Sequence, residues 1–138
     1  AKRINYSKYL ERLKHADIFV DTFNYNAHTT CSDALWSGVP VVTKKGKQFS
    51  SRVASSLLTA VGMAELISNS VEEYENIILD LAQNKNKLEK CKNKLKKDIS
   101  LKPLFNTKNY TKDFENCLEK IYKNRLNKLE DQDIFIKQ

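Results

Sequence analysis

Residues 26 to 43, Asn-Ala-His-Thr-Thr-Cys-Ser-Asp-Ala-Leu-Trp-Ser-Gly-Val-Pro-Val-Val-Thr, leave this chain few folds to choose from. Ahead of them, Asp17-Ile-Phe-Val-Asp21 reads as a short buried strand, and the polar run from Thr22 to Ala27 as a loop. His28-Thr29-Thr30 opens a helix, because Asp33-Ala34-Leu35-Trp36 has helical residues and Gly38 supplies a stop. Pro40 forces Val39 into an extended conformation, and Val41-Val42-Thr43 makes the next strand. Strand, polar loop, helix and strand thus succeed one another within about 27 residues. Hydroxyls fall where the helix offers free N–H groups and the positive end of its dipole, a place that suits a phosphate or diphosphate.

A purely structural reading competes with this one. Thr30 and Asp33 stand at capping-box spacing, so Thr30 could cap the helix while Asp33 bonds back. His28 could be a loop histidine with a carbonyl partner. Against that, a cap needs one hydroxyl, whereas His28, Thr29 and Thr30 supply three polar side chains in a row, preceded by Asn24 and Asn26. At this level both readings stand.

The same residues carry a resemblance. His28-Thr29-Thr30, Asp33-Ala34-Leu35-Trp36-Ser37-Gly38-Val39-Pro40 and Ser51-Arg52-Val53-Ala54-Ser55-Ser56-Leu57-Leu58 resemble the C-terminal lobe of the O-GlcNAc transferase and SPINDLY family. Pro103-Leu104-Phe105-Asn106-Thr107 with Tyr110-Thr111 is similar to that family's stretch before its last helix. The matching pieces keep the family's order from about Tyr9 to Tyr122, nearly the whole chain.

The resemblance implies an α/β fold, the Rossmann-like C-terminal lobe of a GT-B glycosyltransferase, with a parallel sheet flanked by helices and a helical C-terminal end. Members of the family transfer a sugar from a nucleotide diphosphate to Ser or Thr of proteins. Carried over to this chain, Thr29 and Thr30 would bind the diphosphate and Asp33 the ribose. His28 would lie beside the sugar, and Arg12 would reach the base. Tyr9 stands where many relatives have a histidine packed on the base; tyrosine can stack there but cannot become a cation. The donor is therefore left open between UDP-N-acetylglucosamine and GDP-fucose. Arg52 could face the phosphates or serve the structure. The transfer is expected to need no metal and no other cofactor, with the helix terminus replacing a cation.

A chain of 138 residues is one domain by size and leaves no room for a second Rossmann lobe. With Ala1 at its start, it is expected to be a piece of a longer enzyme, residues 1–128 forming the donor lobe and 129–138 a tail. The acceptor site, most catalytic groups and tetratricopeptide repeats would then lie elsewhere, and this piece alone would be inactive. No apolar run reaches transmembrane length, so no membrane partner is expected, and the expected location is cytoplasmic. Cys31, Cys91 and Cys117 are widely spaced, fit no zinc pattern and are expected to stay reduced.

Between Lys85 and Lys128 there are 14 Lys or Arg against 5 Asp or Glu, more than the whole net charge of +7. That excess raises an alternative, a non-catalytic nucleotide- or nucleic-acid-binding module. The lysines, however, alternate with apolar residues at helical spacing and no nucleic-acid fold signature appears, so a solvated helix face is the expectation. Lys44-Lys45-Gly46-Lys47-Gln48 reads as a polar turn. Helices are expected over 49–61, from a capping box at Ser70-Val71-Glu72-Glu73, over 86–99, and from about 110 to 127. In the helix after Ser70, the apolar face expected to be buried is Val71, Tyr74, Ile78, Leu81 and Ala82.

Overall fold

The computed structural model describes residues 2–130 and 132–135. Three short parallel strands form its sheet in the order β1-β2-β3: β1 Phe19–Val20, β2 Val41–Lys44 and β3 Ile67–Ser68. Phe19 pairs with Val41 and Val20 with Val42, while Thr43 pairs with Ile67 and Lys44 with Ser68. Val41, Val42 and Thr43 of the central strand are all buried, as expected for a strand covered on both faces.

Helix α2 (Thr29–Trp36) crosses between β1 and β2, and Cys31, Ala34 and Leu35 are its wholly buried apolar residues. It ends as the sequence requires, at Gly38, whose φ of +80° is open to glycine at little cost. The segment after β2 departs from a single helix over 49–61: a 3₁₀ turn at Phe49–Ser51 precedes α3 (Val53–Ala60). Gln48 and Ser51 cap that turn reciprocally, which holds it apart from α3. A 3₁₀ turn at Ala64–Leu66 then leads into β3.

Helix α4 (Val71–Gln83) starts at Ser70, whose hydroxyl accepts the Glu73 N–H at 3.0 Å, while Glu73 accepts the Asn69 N–H at 2.7 Å. The face that α4 buries differs from expectation. Val71 and Ala82 are exposed, and Ile77 joins Tyr74, Ile78 and Leu81 on the inner side. Val71 sits in the first turn and Ala82 in the last, so both lie beyond the part of the helix that covers the sheet. Helix α5 (Lys85–Asp98) buries Leu95 and half-buries Leu88 and Cys91.

The chain divides into two compact units, Ala1–Leu104 and Phe105–Gln138. The second is built on α6 (Thr107–Leu126), which begins three residues earlier than its apolar period because Asn106 caps it through the Asn109 N–H. The last three residues of the expected tail, and Asp131, lie outside the described residues.

Candidate functional site

Ligands of parallel α/β sheets sit beyond the carboxyl ends of the strands, and the segment leaving β1 at that end is Asp21 to His28. Asp21 organises it. Its carboxylate is buried and accepts the Ala27 N–H at 2.7 Å and the Thr43 hydroxyl at 2.6 Å, and its backbone carbonyl accepts the Tyr74 hydroxyl at 2.6 Å. Thr22 Oγ1 donates to the Tyr25 carbonyl, and Asn26 Nδ2 to the Thr22 carbonyl, closing the loop on itself. From outside, the Asn26 N–H bonds the Ser50 carbonyl and the Ser50 hydroxyl bonds the Asn24 carbonyl, so the 3₁₀ turn after β2 buttresses the loop. Asn26 is fully buried and its Oδ1 has no hydrogen-bond partner among the described residues.

This loop delivers the start of α2. His28 is the N-cap residue, and no side chain caps the helix there. The structural alternative for Thr30 and Asp33 is therefore not realised: Thr30 lies inside the helix, and the Asp33 carboxylate is engaged elsewhere. The Thr29 and Thr30 side chains are exposed at this end, and a cleft of about 440 Å³ is lined there by Asp21, Asn26, His28, Thr29 and Thr30 among others. His28 meets the Ser50 carbonyl only at 3.5 Å, at the outer limit of hydrogen bonding. Its ring stacks on Tyr25 at 4.7 Å and meets Phe49 edge-on at 6.3 Å.

One turn along α2, a second group forms against α1 (Tyr6–Leu13). The Tyr6 hydroxyl donates to Asp33 Oδ1 at 2.6 Å. The rings of Tyr6 and Tyr9 lie 6.1 Å apart, and the Arg12 guanidinium stands 5.9 Å from the Tyr9 ring centre. The hydrogen bond to Asp33 raises the Tyr6 pKa above its ordinary value. Burial raises that of Tyr9, with the Asp33 charge adding and Arg12 opposing. Both phenols thus stay neutral donors well past physiological pH.

The structure accordingly brings the expected residues together as two neighbouring groups along α2, the second of them shared with α1. His28, Thr29 and Thr30 line the cleft, while Tyr9, Arg12 and Asp33 cluster on the α1 side. Arg52 stays apart: it is exposed at the N-cap of α3 and is not among the residues lining the cleft. Sequence reasoning missed Tyr6, Tyr25, Phe49 and Asp21. Tyr6 had a signal, since it precedes Tyr9 by one helical turn and so shares its face.

Fold and site together define a Rossmann-like α/β lobe of the GT-B type, with an open helix start beside a carboxylate one turn further on. The chain belongs to glycosyl transferase family 41, whose model matches residues 5–114. It is 38% identical over 117 residues to a probable UDP-N-acetylglucosamine–peptide N-acetylglucosaminyltransferase SEC of Arabidopsis thaliana, covering 84% of this chain and 12% of that protein. It is 34% identical to the UDP-N-acetylglucosamine–peptide N-acetylglucosaminyltransferase of Caenorhabditis elegans, covering 84% of this chain and 10% of that protein. A probable SPINDLY enzyme of Oryza sativa subsp. japonica is 35% identical over 107 residues, which are 78% of this chain and 12% of that protein. Among solved structures, a mutant Thermobaculum terrenum O-GlcNAc transferase superposes with a TM-score of 0.83 at 29% identity, over 90% of this chain and 24% of that one. The chain therefore spans about an eighth of the length of the curated relatives it matches.

Proposed function

We propose that this chain is the donor-binding lobe of a cytoplasmic protein O-glycosyltransferase, which transfers N-acetylglucosamine or fucose from a nucleoside diphosphate to Ser or Thr of an acceptor protein. The observation that carries this reading is the uncapped start of α2. Its free N–H groups and the hydroxyls of Thr29 and Thr30 open into the cleft beside His28. In the transfer, an acceptor hydroxyl oxygen attacks the anomeric carbon from the face opposite the diphosphate. The carbon–oxygen bond to the diphosphate breaks, and the electron pair leaves with it. Helix N–H groups and hydroxyls stabilise that charge as it develops, which is the largest service a donor lobe can render and the one a divalent cation would otherwise supply. Asp33 takes ribose hydroxyls, and Tyr9 with Arg12 flanks the base. The acceptor groove and the group that receives the hydroxyl proton are assigned to another lobe, so this chain by itself is inactive; tetratricopeptide repeats are expected alongside that lobe.

Calorimetric titration of the full-length protein with UDP, GDP and pyrophosphate tests the assignment. Replacing both Thr29→Ala and Thr30→Ala should weaken all three ligands at least about tenfold, the scale of losing charge-assisted hydrogen bonds. Asp33→Ala should weaken the nucleotides and spare pyrophosphate. Because Thr30 is not a cap, its removal should move stability by no more than about 0.5 kcal/mol, so a melting curve separates binding from folding. Unchanged affinity in the double variant would refute the phosphate assignment.

A further inference from the structure

Asp33 is nearly enclosed, with 7% of its surface exposed, and the Tyr6 hydroxyl is bound to its Oδ1 at 2.6 Å. Tyr6 itself is 62% exposed, on a helix with no buried residue. The pairing joins an exposed, readily turned side chain to a carboxylate that is fixed and largely hidden. A phenol hydroxyl on a carboxylate oxygen makes the same kind of hydrogen bond as a ribose hydroxyl, so the two compete for one acceptor. We propose that Tyr6 is a specificity-determining residue of the nucleoside subsite, an exchangeable hydroxyl that a ribose diol displaces from Asp33 as it binds.

This rests on the donor-lobe reading above and adds to it a threshold. A ligand carrying a diol must displace the Tyr6 hydroxyl to reach Asp33, whereas a bare diphosphate or a sugar phosphate leaves that hydrogen bond in place. Tyr6 thereby sets a cost that only diol-bearing ligands meet, and so narrows the lobe's preference for nucleoside diphosphates over the smaller phosphates that its helix terminus alone would accept. Tyr9, one turn away and flanked by Arg12, keeps a ring beside the subsite when Tyr6 turns out. The hydrogen bond to Asp33 also raises the Tyr6 pKa, so the phenol remains a donor at every pH where the protein works.

The test is Tyr6→Phe in the full-length protein, titrated with UDP, 2′,3′-dideoxy-UDP and pyrophosphate. The variant keeps the ring and removes only the competing hydroxyl. UDP should bind roughly threefold to tenfold more tightly, the fold-change of one surface hydrogen bond, while dideoxy-UDP and pyrophosphate keep their affinities. Weaker or unchanged UDP binding would overturn the exchange, and so would an equal gain for the dideoxy compound. If pyrophosphate binds and Tyr6→Phe changes nothing, only the role of Tyr6 falls. If neither UDP nor pyrophosphate binds the unmodified protein, the donor-lobe reading falls with it.

Discussion

Cys31 shows how one residue beside a ligand site can be chemically silent. It follows the threonine pair directly, yet it is wholly buried on the inner face of α2. Burial, with the negative charge of Asp21 adding, pushes its pKa from the ordinary 9.0 up to about 12. Cys91 is pushed up to about 11 by burial first and Glu65 next. A raised thiol pKa means that the folded state disfavours the thiolate, the only form that alkylates. At pH 8 the thiolate fraction is on the order of one part in ten thousand for Cys31 and one in a thousand for Cys91. Timed iodoacetamide labelling read by mass spectrometry should leave Cys31 unmodified until the protein unfolds. Modification of Cys31 at the rate of a free thiol under native conditions would contradict the packing of α2.

At the scale of elements, the site depends on how the segments after β1 and β2 lean on each other. Gly46 is a tight point within the segment after β2 that supplies this support. Its N–H bonds the Ser51 carbonyl at 2.7 Å, and a Cβ added there would lie 2.1 Å from Ser51 Oγ. Ser51 is buried and bonds Gln48 twice, so it has little room to give. Gly46→Ala should therefore lower stability by about 2 kcal/mol, in the range of overpacked sites, with a drop in melting temperature as the readout. Such dependence explains what the sequence revealed and what it concealed. The β1-loop-α2-β2 order was legible because Gly38, Pro40 and the apolar run after it act locally. His28, Thr29, Thr30 and Asp33 were legible as a group because one short helix carries them. The partners were hidden: Tyr6 meets Asp33 across 27 positions, and Ser50 meets Asn24 across 26. No local pattern announces contacts that two separate elements make only after packing. The capping box read from Thr30 and Asp33 failed for the same reason, since α1 offers Asp33 a phenol that outcompetes the backbone.

For the whole molecule, the open question is what a net charge of +7 is for. The lysines of α5 answer in part. Lys92 pairs with Asp17 at 2.7 Å, Lys94 with Glu65 at 2.5 Å, and Lys87 with Asp80. These are exposed pairs worth little individually, but they spread α5's charge among carboxylates of the surrounding lobe. Nucleic-acid binding needs the reverse, free cations aligned so that several phosphates are met at once and counterions are released together. On α6 the Lys123–Glu119 pair again mixes the signs along one helix. An anion should thus be held at the uncapped start of α2, where N–H groups and hydroxyls act at short range, and only diffusely over the lysines. The two sites differ in their response to salt. Raising salt from 0.05 to 0.2 M should abolish any association with a 20-base-pair duplex, measured by fluorescence anisotropy, and should weaken UDP binding by no more than about threefold. Excess duplex should also fail to displace UDP. Saturable duplex binding that persists at the higher salt and competes with UDP would move the functional surface to the lysine-rich helices and restore the nucleic-acid alternative.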